Sequence, residues 1–208
     1  LSVAWSVMTR FSTIMFDLSE VLIRGLVGIE GELSHLLGQP EETILPKLGG
    51  NRLRTLFGGS LTEGEYLRQI IESEKWDVHR DDIKALIRQN FHHEVDGMIS
   101  LVESLSQRYP LVLVSDHARE WIDYIEHVHG FMSLFRNKVY SFQTGRTKDE
   151  PDCFPALLSS LGLSGGDCVF TDDNPRNVEQ ARRTGIHAVP YHDRASLVHE
   201  LGSIGIEP

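Results

Sequence analysis

Asp17 closes the apolar run Ser12-Thr13-Ile14-Met15-Phe16, and the pair Asp172-Asp173 follows Cys168-Val169-Phe170-Thr171. Each carboxylate stands at the exit of a short strand-like segment, so one parallel sheet can deliver all three to one edge. In open α/β sheets that carboxyl edge is where ligands bind. An aspartate there can act as a nucleophile, forming an aspartyl-phosphate that splits a hydrolysis into two easier displacements. Neighbouring carboxylates suit a hard cation such as Mg2+, which takes oxygen ligands from one or two carboxylates, water and a substrate phosphate. Asp17, Asp172 and Asp173 are the candidate ligands. The Ser115 hydroxyl can donate to a phosphoryl oxygen, and Lys148 can neutralise charge on the nucleophile and the transferring group, where electrostatic positioning dominates the chemistry. Arg146 is a second candidate cation.

These residues need a scaffold, and the second half of the chain supplies one in alternating pattern. An amphipathic stretch from Met98 to Arg108 leads through Tyr109-Pro110 into the apolar run Leu111-Val112-Leu113-Val114, which stops at Ser115-Asp116-His117. Ala118 to His129 carries Trp121, Ile122, Ile125 and Val128 at helical spacing before Gly130. Lys138 to Ser141 reads as a strand, Pro151 to about Leu161 as a helix, Cys168 to Phe170 as a strand, Pro175 to Arg183 as a helix, and Ile186 to Val189 as a strand. Repeated βα alternation implies an α/β fold with a doubly wound parallel sheet.

Residues 25–97 differ. Helical signals cover Glu30 to Leu37, Glu41 to Leu45, Thr62 to Ser73 (with Glu65 completing a capping box) and Asp81 to Asn90, and no strand signal intervenes. Residues 1–24 and 98–208 are therefore expected to form a discontinuous core, with 25–97 inserted as a helical domain.

Composition sets the limits. At 208 residues, 40% hydrophobic and 24% charged, the chain reads as an ordinary globular protein. A formal net charge of -10 gives no electrostatic reason to expect nucleic acid or an anionic membrane as partner. No run approaches the ~18 apolar residues needed to span a bilayer. The first eight residues lack a basic leader and a small-residue cleavage site, so they are read as a tail with Met8 as a candidate start, and the compartment as cytoplasmic. Cys153 and Cys168 are expected as reduced core side chains.

In order along the chain, Ile14-Met15-Phe16-Asp17-Leu18-Ser19-Glu20-Val21-Leu22, Leu113-Val114-Ser115, Gly145-Arg146-Thr147-Lys148 and Phe170-Thr171-Asp172-Asp173-Asn174-Pro175 resemble the four motifs of the haloacid dehalogenase superfamily. That group is dominated by Mg2+-dependent phosphatases. The helical segment sits where members with an α-helical cap carry it. The resemblance implies Asp17 as nucleophile, Ser115, Asp116 and Lys148 at the phosphate, and Asp17, Asp172, Asp173 and the backbone carbonyl of Ser19 at Mg2+. The expected substrate is a small phosphorylated metabolite; nothing in the sequence specifies an oligomeric state.

Ser19 departs from the pattern. The phosphatase motif has a second aspartate at that position, which protonates the leaving group and then activates water, help generally worth about 10²–10⁴-fold. Asp116, His117 and Glu20 are neighbours able to supply a proton instead. Two alternatives follow: a metal-independent dehalogenase, whose halide leaves unprotonated but whose last motif normally lacks the paired aspartates, and a binding or regulatory protein with a weakened site. Each motif residue also has a plain structural use. Asp172, Asp173 and Asn174 can cap a helix, Ser115 can do the same, and Lys148 can be a solvated loop cation.

Overall fold

The computed structural model describes residues 10–207, so the tail and its Met8 and Trp5 lie outside the described residues. Five parallel strands form one sheet: β1 (Thr13–Phe16), β2 (Leu111–Ser115), β3 (Asn137–Tyr140), β4 (Cys168–Asp172) and β5 (His187–Pro190), in the order β3-β2-β1-β4-β5. Every residue of β1, β2 and β4 is buried, as expected of strands covered on both faces, which is why they read as unbroken apolar runs. The pleat sorts them. Ile14 and Phe16 join Leu111, Leu113 and Val169 in one core, whereas Met15 joins Val112, Val114 and Phe170 in the other.

Between β1 and β2 lie α1 (Glu30–Leu37), α2 (Ile44–Leu48), α3 (Gly50–Phe57), α4 (Glu63–Glu74), α5 (Arg80–Phe91) and α6 (Met98–Ser106). Thr62 and Glu65 form the expected capping box at the start of α4. The two chain segments joining α1–α5 to the sheet run side by side, with Arg24 N donating to His93 O at 2.8 Å and Val95 N to Leu22 O at 2.8 Å. Glu63, almost fully buried, ties this helical layer to the core. It accepts from Trp121 Nε1 at 2.7 Å and Arg88 Nη2 at 2.9 Å, and Lys84 Nζ lies 3.3 Å away.

The rest of the core is α7 (Arg119–Val128), α8 (Ser141–Thr144), α9 (Cys153–Leu161), α10 (Pro175–Arg182) and α11 (Arg194–Ser203). Four details differ from the sequence reading. Helix α3 forms where glycine pairs suggested only punctuation. Pro46 lies within α2 instead of ending it, because a helix's first turn has no amide partner for proline to remove. Ser141 opens α8 and is not the last residue of β3. Finally, α9 starts at Cys153, two residues after Pro151. Both cysteines are free and buried, and burial pushes their thiols up to about 12 and about 11.

Candidate active site

Strand register builds the site. Phe16 pairs with both Leu113 and Thr171, so Asp17 and Asp172 leave β1 and β4 side by side while Ser115 ends β2 one residue further along. Lys148, on the loop between α8 and α9, reaches between the two aspartates. Its Nζ is ion-paired with Asp17 Oδ1 and lies 2.6 Å from Asp172 Oδ2. All three side chains are buried.

Neighbours fix each partner. Asn177 Nδ2 donates to both Asp172 oxygens at 3.1 Å, and Asn174 N donates to Oδ1 at 2.8 Å. Asn174 also caps α10, its side chain accepting from Arg176 N, so capping and site construction share one turn. Asp116 accepts from the Lys148 amide with both oxygens, at 3.1 and 3.0 Å. Asp116, which the resemblance places at the phosphate, thus uses its carboxylate to fix the lysine's backbone. Arg54 of α3 secures the other side of this loop, donating to Thr147 Oγ1 at 2.9 Å and Asp149 Oδ1 at 3.0 Å.

Asp17, Asp172 and Asp173 can each present an oxygen such that all three lie within 4.8 Å of one another. That all-oxygen donor set fits a hard divalent cation. One candidate cation from the sequence is engaged elsewhere. Arg146 is exposed and paired with Asp152 at 2.7 Å, away from Asp17. Ser115, at the end of β2, is buried with its Oγ unpartnered, and it lines a cavity of about 200 Å³ together with Asp116 and Lys148.

The main cleft, about 620 Å³, is lined by Asp17, Ser19, Asp173 and Lys148 on the sheet side and by Leu53, Arg54 and Phe57 on the helical side. Ser19 Oγ lies 3.0 Å from His117 Nε2. The His117 ring is boxed by Phe57, Phe91 and Trp121, with centroids 5.5–5.8 Å away. Arg54, Phe57 and Asn177 are site residues the sequence reading misses. Arg54 and Phe57 sit on the unpredicted α3, whereas Asn177 could have been found one turn into the helix that Asn174-Pro175 announces.

Burial governs the electrostatics. It raises Asp17 well above the usual carboxylate range, and repulsion from Asp172 and Asp173 adds to it, together outweighing Lys148. Burial opposes charge on Lys148 too, but Asp17, Asp172 and Asp116 hold its proton, and the net shift is upward. Asp116 is pushed up to about 6, chiefly by burial, and the more exposed Asp173 to about 6 by partial desolvation and then by repulsion from Asp172. His117 is pushed down to about 3 by burial, then by Lys148 and Arg88, and is neutral at pH 7.

Asp116 gives a stability signature. Its folded value lies above the ordinary 3.8, so its contribution is full below about pH 4 and is lost as pH rises through about 6. The difference amounts to no more than about 3 kcal/mol. The metal-free chain is expected to melt at higher temperature at pH 5.5 than at pH 7.5, and Asp116→Asn to flatten part of that difference. Equal pH dependence in the two proteins would show that Asp116 is not the source.

A family model for haloacid dehalogenase-like hydrolases matches residues 14–190, most of the chain. The chain belongs to this family. Among curated members, flavin mononucleotide hydrolase 1 of Arabidopsis thaliana is 25% identical over 71% of this chain and 60% of its own length. Validoxylamine A 7'-phosphate phosphatase of Streptomyces hygroscopicus subsp. limoneus is 26% identical over 50% of each. The chain therefore spans less than two thirds of the length of those relatives. In fold it is similar to a family enzyme from Bacteroides thetaiotaomicron solved with magnesium and inorganic phosphate, with a TM-score of 0.72, 20% identity, and coverage of 90% of this chain and 98% of that one. Among the described residues, no helix is long and apolar enough to cross a membrane.

Proposed function

We propose that this hydrolase is a Mg2+-dependent phosphatase acting on a small phosphorylated molecule through an aspartyl-phosphate on Asp17. The observation that carries the reading is the convergence of Asp17, Asp172 and Asp173 around one point with Lys148 among them. The relatives named as phosphatase and mononucleotide hydrolase support it. A dehalogenase needs no metal, and its last motif normally lacks the paired aspartates that Asp172 and Asp173 supply here.

Asp17, Asp172, Asp173 and the Ser19 carbonyl would hold Mg2+, which supplies positive charge between carboxylates and phosphate and favours an ionised Asp17. Lys148 neutralises the nucleophile and the transferring group. Ser115 donates its otherwise unpartnered hydroxyl to a phosphoryl oxygen. Asp116 and Arg54 keep the Lys148 loop in place. Residues 25–97 serve as a cap, with the paired segments at 22–24 and 93–95 as its hinge, excluding water on closure.

The test is hydrolysis of p-nitrophenyl phosphate, whose leaving group needs little protonation. Turnover with Mg2+ and its loss in EDTA are expected. Turnover unaffected by EDTA would overturn the metal assignment, and none under either condition would overturn the phosphatase reading.

A further inference from the structure

The acids lining the main cleft are all engaged. Glu20 accepts from Gly25 N at 2.8 Å with one oxygen and pairs with Arg24 at 3.1 Å with the other. Both Asp116 oxygens face the Lys148 amide. Asp149 is clamped by Arg54 and also accepts from Thr147 Oγ1 at 2.7 Å. Asp173 belongs to the carboxylate cluster with Asp17 and Asp172. Lys148 is pinned between Asp17 and Asp172, and Arg54 and Arg176 are guanidiniums that do not give up a proton. His117 is almost wholly buried among aromatic rings, and its Nε2 is directed to Ser19. Each acid lining the cleft thus already has a partner, and the position two residues after Asp17 offers only the neutral Ser19 hydroxyl.

One side of the cleft, formed by Leu26, Val27, Leu53 and Phe57, is apolar. A Cβ on Gly25 would lie 2.9 Å from Ser19 Oγ, so the backbone passes against it and delivers Leu26 and Val27 to the cleft. Phe57 packs on His117, the residue bonded to Ser19, and Leu53 lies one turn before it on α3. Val27, at 44% exposed, is one of the few large apolar side chains open to solvent among the described residues.

Taking these together, and resting on the phosphatase reading, we propose that the substrate is a phosphomonoester of a weakly basic oxygen carried on an apolar or aromatic body, as in a phenolic or enolic phosphate. In the first step an Asp17 oxygen bonds to phosphorus as the bond from phosphorus to the leaving oxygen breaks. That oxygen keeps the electron pair and departs as an anion, accepting a hydrogen bond from Ser19. Delocalisation into the ring or double bond stabilises it where protonation does not. Water then adds to the aspartyl-phosphate: its oxygen bonds to phosphorus, one proton passes to a phosphoryl oxygen, Asp17 recovers its carboxylate, and dihydrogen phosphate leaves. The slot beside Ser19 accepts the apolar body.

The experiment compares kcat/KM for p-nitrophenyl phosphate, phenyl phosphate, benzyl phosphate and acetyl phosphate with Mg2+. The two aryl esters are expected to exceed benzyl phosphate, of similar size but with a basic alkoxide, by at least ~10²-fold, the low end of what acid catalysis supplies. Acetyl phosphate, with a good leaving group and no apolar body, is expected to show a KM at least tenfold above that of p-nitrophenyl phosphate. Ser19→Asp is expected to raise benzyl phosphate turnover far more than p-nitrophenyl phosphate turnover. Benzyl phosphate within tenfold of the aryl esters would overturn the leaving-group assignment while leaving the phosphatase reading intact. An acetyl phosphate KM equal to or below that of p-nitrophenyl phosphate would overturn the apolar slot. Absence of turnover on all four would overturn both proposals.

Discussion

Lys148→Met is expected to lower kcat/KM by at least ~10³-fold, the upper end of what one preorganised charge-stabilising donor is worth in a water-excluded site. The argument begins with burial. A lysine ammonium with 2% of its surface exposed would ordinarily lose its proton, and it stays charged here because Asp17, Asp172 and Asp116 face it. Methionine fills similar volume without charge, leaving two buried carboxylates with no cation between them. Phosphate approaching Asp17 would then meet negative charge from both that only a bound cation could offset. The fold should suffer as well, since removing one partner of a buried ion pair typically costs ~3–5 kcal/mol. That cost should shrink on acidification, because Asp17, already raised, takes up a proton and becomes neutral. Steady-state kinetics with Mg2+ and melting curves at pH 5.5 and 7.5 give both readouts. Activity within tenfold of the parent would remove Lys148 from the chemistry. A melting deficit independent of pH would remove the charge argument. Lys148→Arg should recover only part of the rate, because a forked guanidinium cannot occupy the compact position between Asp17 Oδ1 and Asp172 Oδ2.

The sheet is legible in the sequence because its strands are buried on both faces and so appear as continuous apolar runs ending in polar residues. That pattern alone places Asp17 and Asp172 at one edge, and the registers Phe16 with Thr171 and Phe16 with Leu113 agree with it. Lys148 is legible through its resemblance to a motif, not through periodicity: it sits on a loop, and its neighbour Arg146 looks equally able to serve. What separates them is tertiary. Asp152 captures Arg146 in solvent, while Asp116 and Arg54 draw the Lys148 segment inward. Helix α3 is not legible. Gly-Asn-Arg-Leu-Arg-Thr-Leu-Phe is bracketed by glycines, lacks a side-chain cap, and forms because packing favours it. One consequence is a tight seam: Gly59, just past α3 with φ of +77°, lies where a Cβ would meet Phe142 O at 2.6 Å. The hydrogen bond between Ser19 and His117 is equally hidden, since 98 residues separate them.

Asp17→Asn is expected to remove turnover by on the order of 10⁶-fold, the scale associated with loss of a covalent nucleophile, while making the metal-free protein more heat-stable at pH 7.5. The two effects have one cause. Burial and the facing carboxylates of Asp172 and Asp173 disfavour the Asp17 anion more than Lys148 favours it. A raised folded-state value means that the group's contribution to stability is present at low pH and lost as pH rises through that value, so an ionised Asp17 weakens the metal-free fold. Asparagine has nearly the same shape and no charge to bury. Lys148 retains Asp172 at 2.6 Å, so its own ammonium is not stranded. At this chain length each 1 kcal/mol corresponds to ~2–4 °C in Tm, an easily measured rise. Adding Mg2+ should then stabilise the parent and have less effect on the variant, because a ligand stabilises only the state that binds it and a neutral carboxamide is a poorer donor to the cation than a carboxylate. A Tm lowered by the substitution would mean that the Lys148 pair outweighs burial, and that the anion is part of what holds the fold together. A raised Tm with turnover lost would show the opposite: the nucleophile is held in an environment that disfavours its charge, and cation binding offsets that strain.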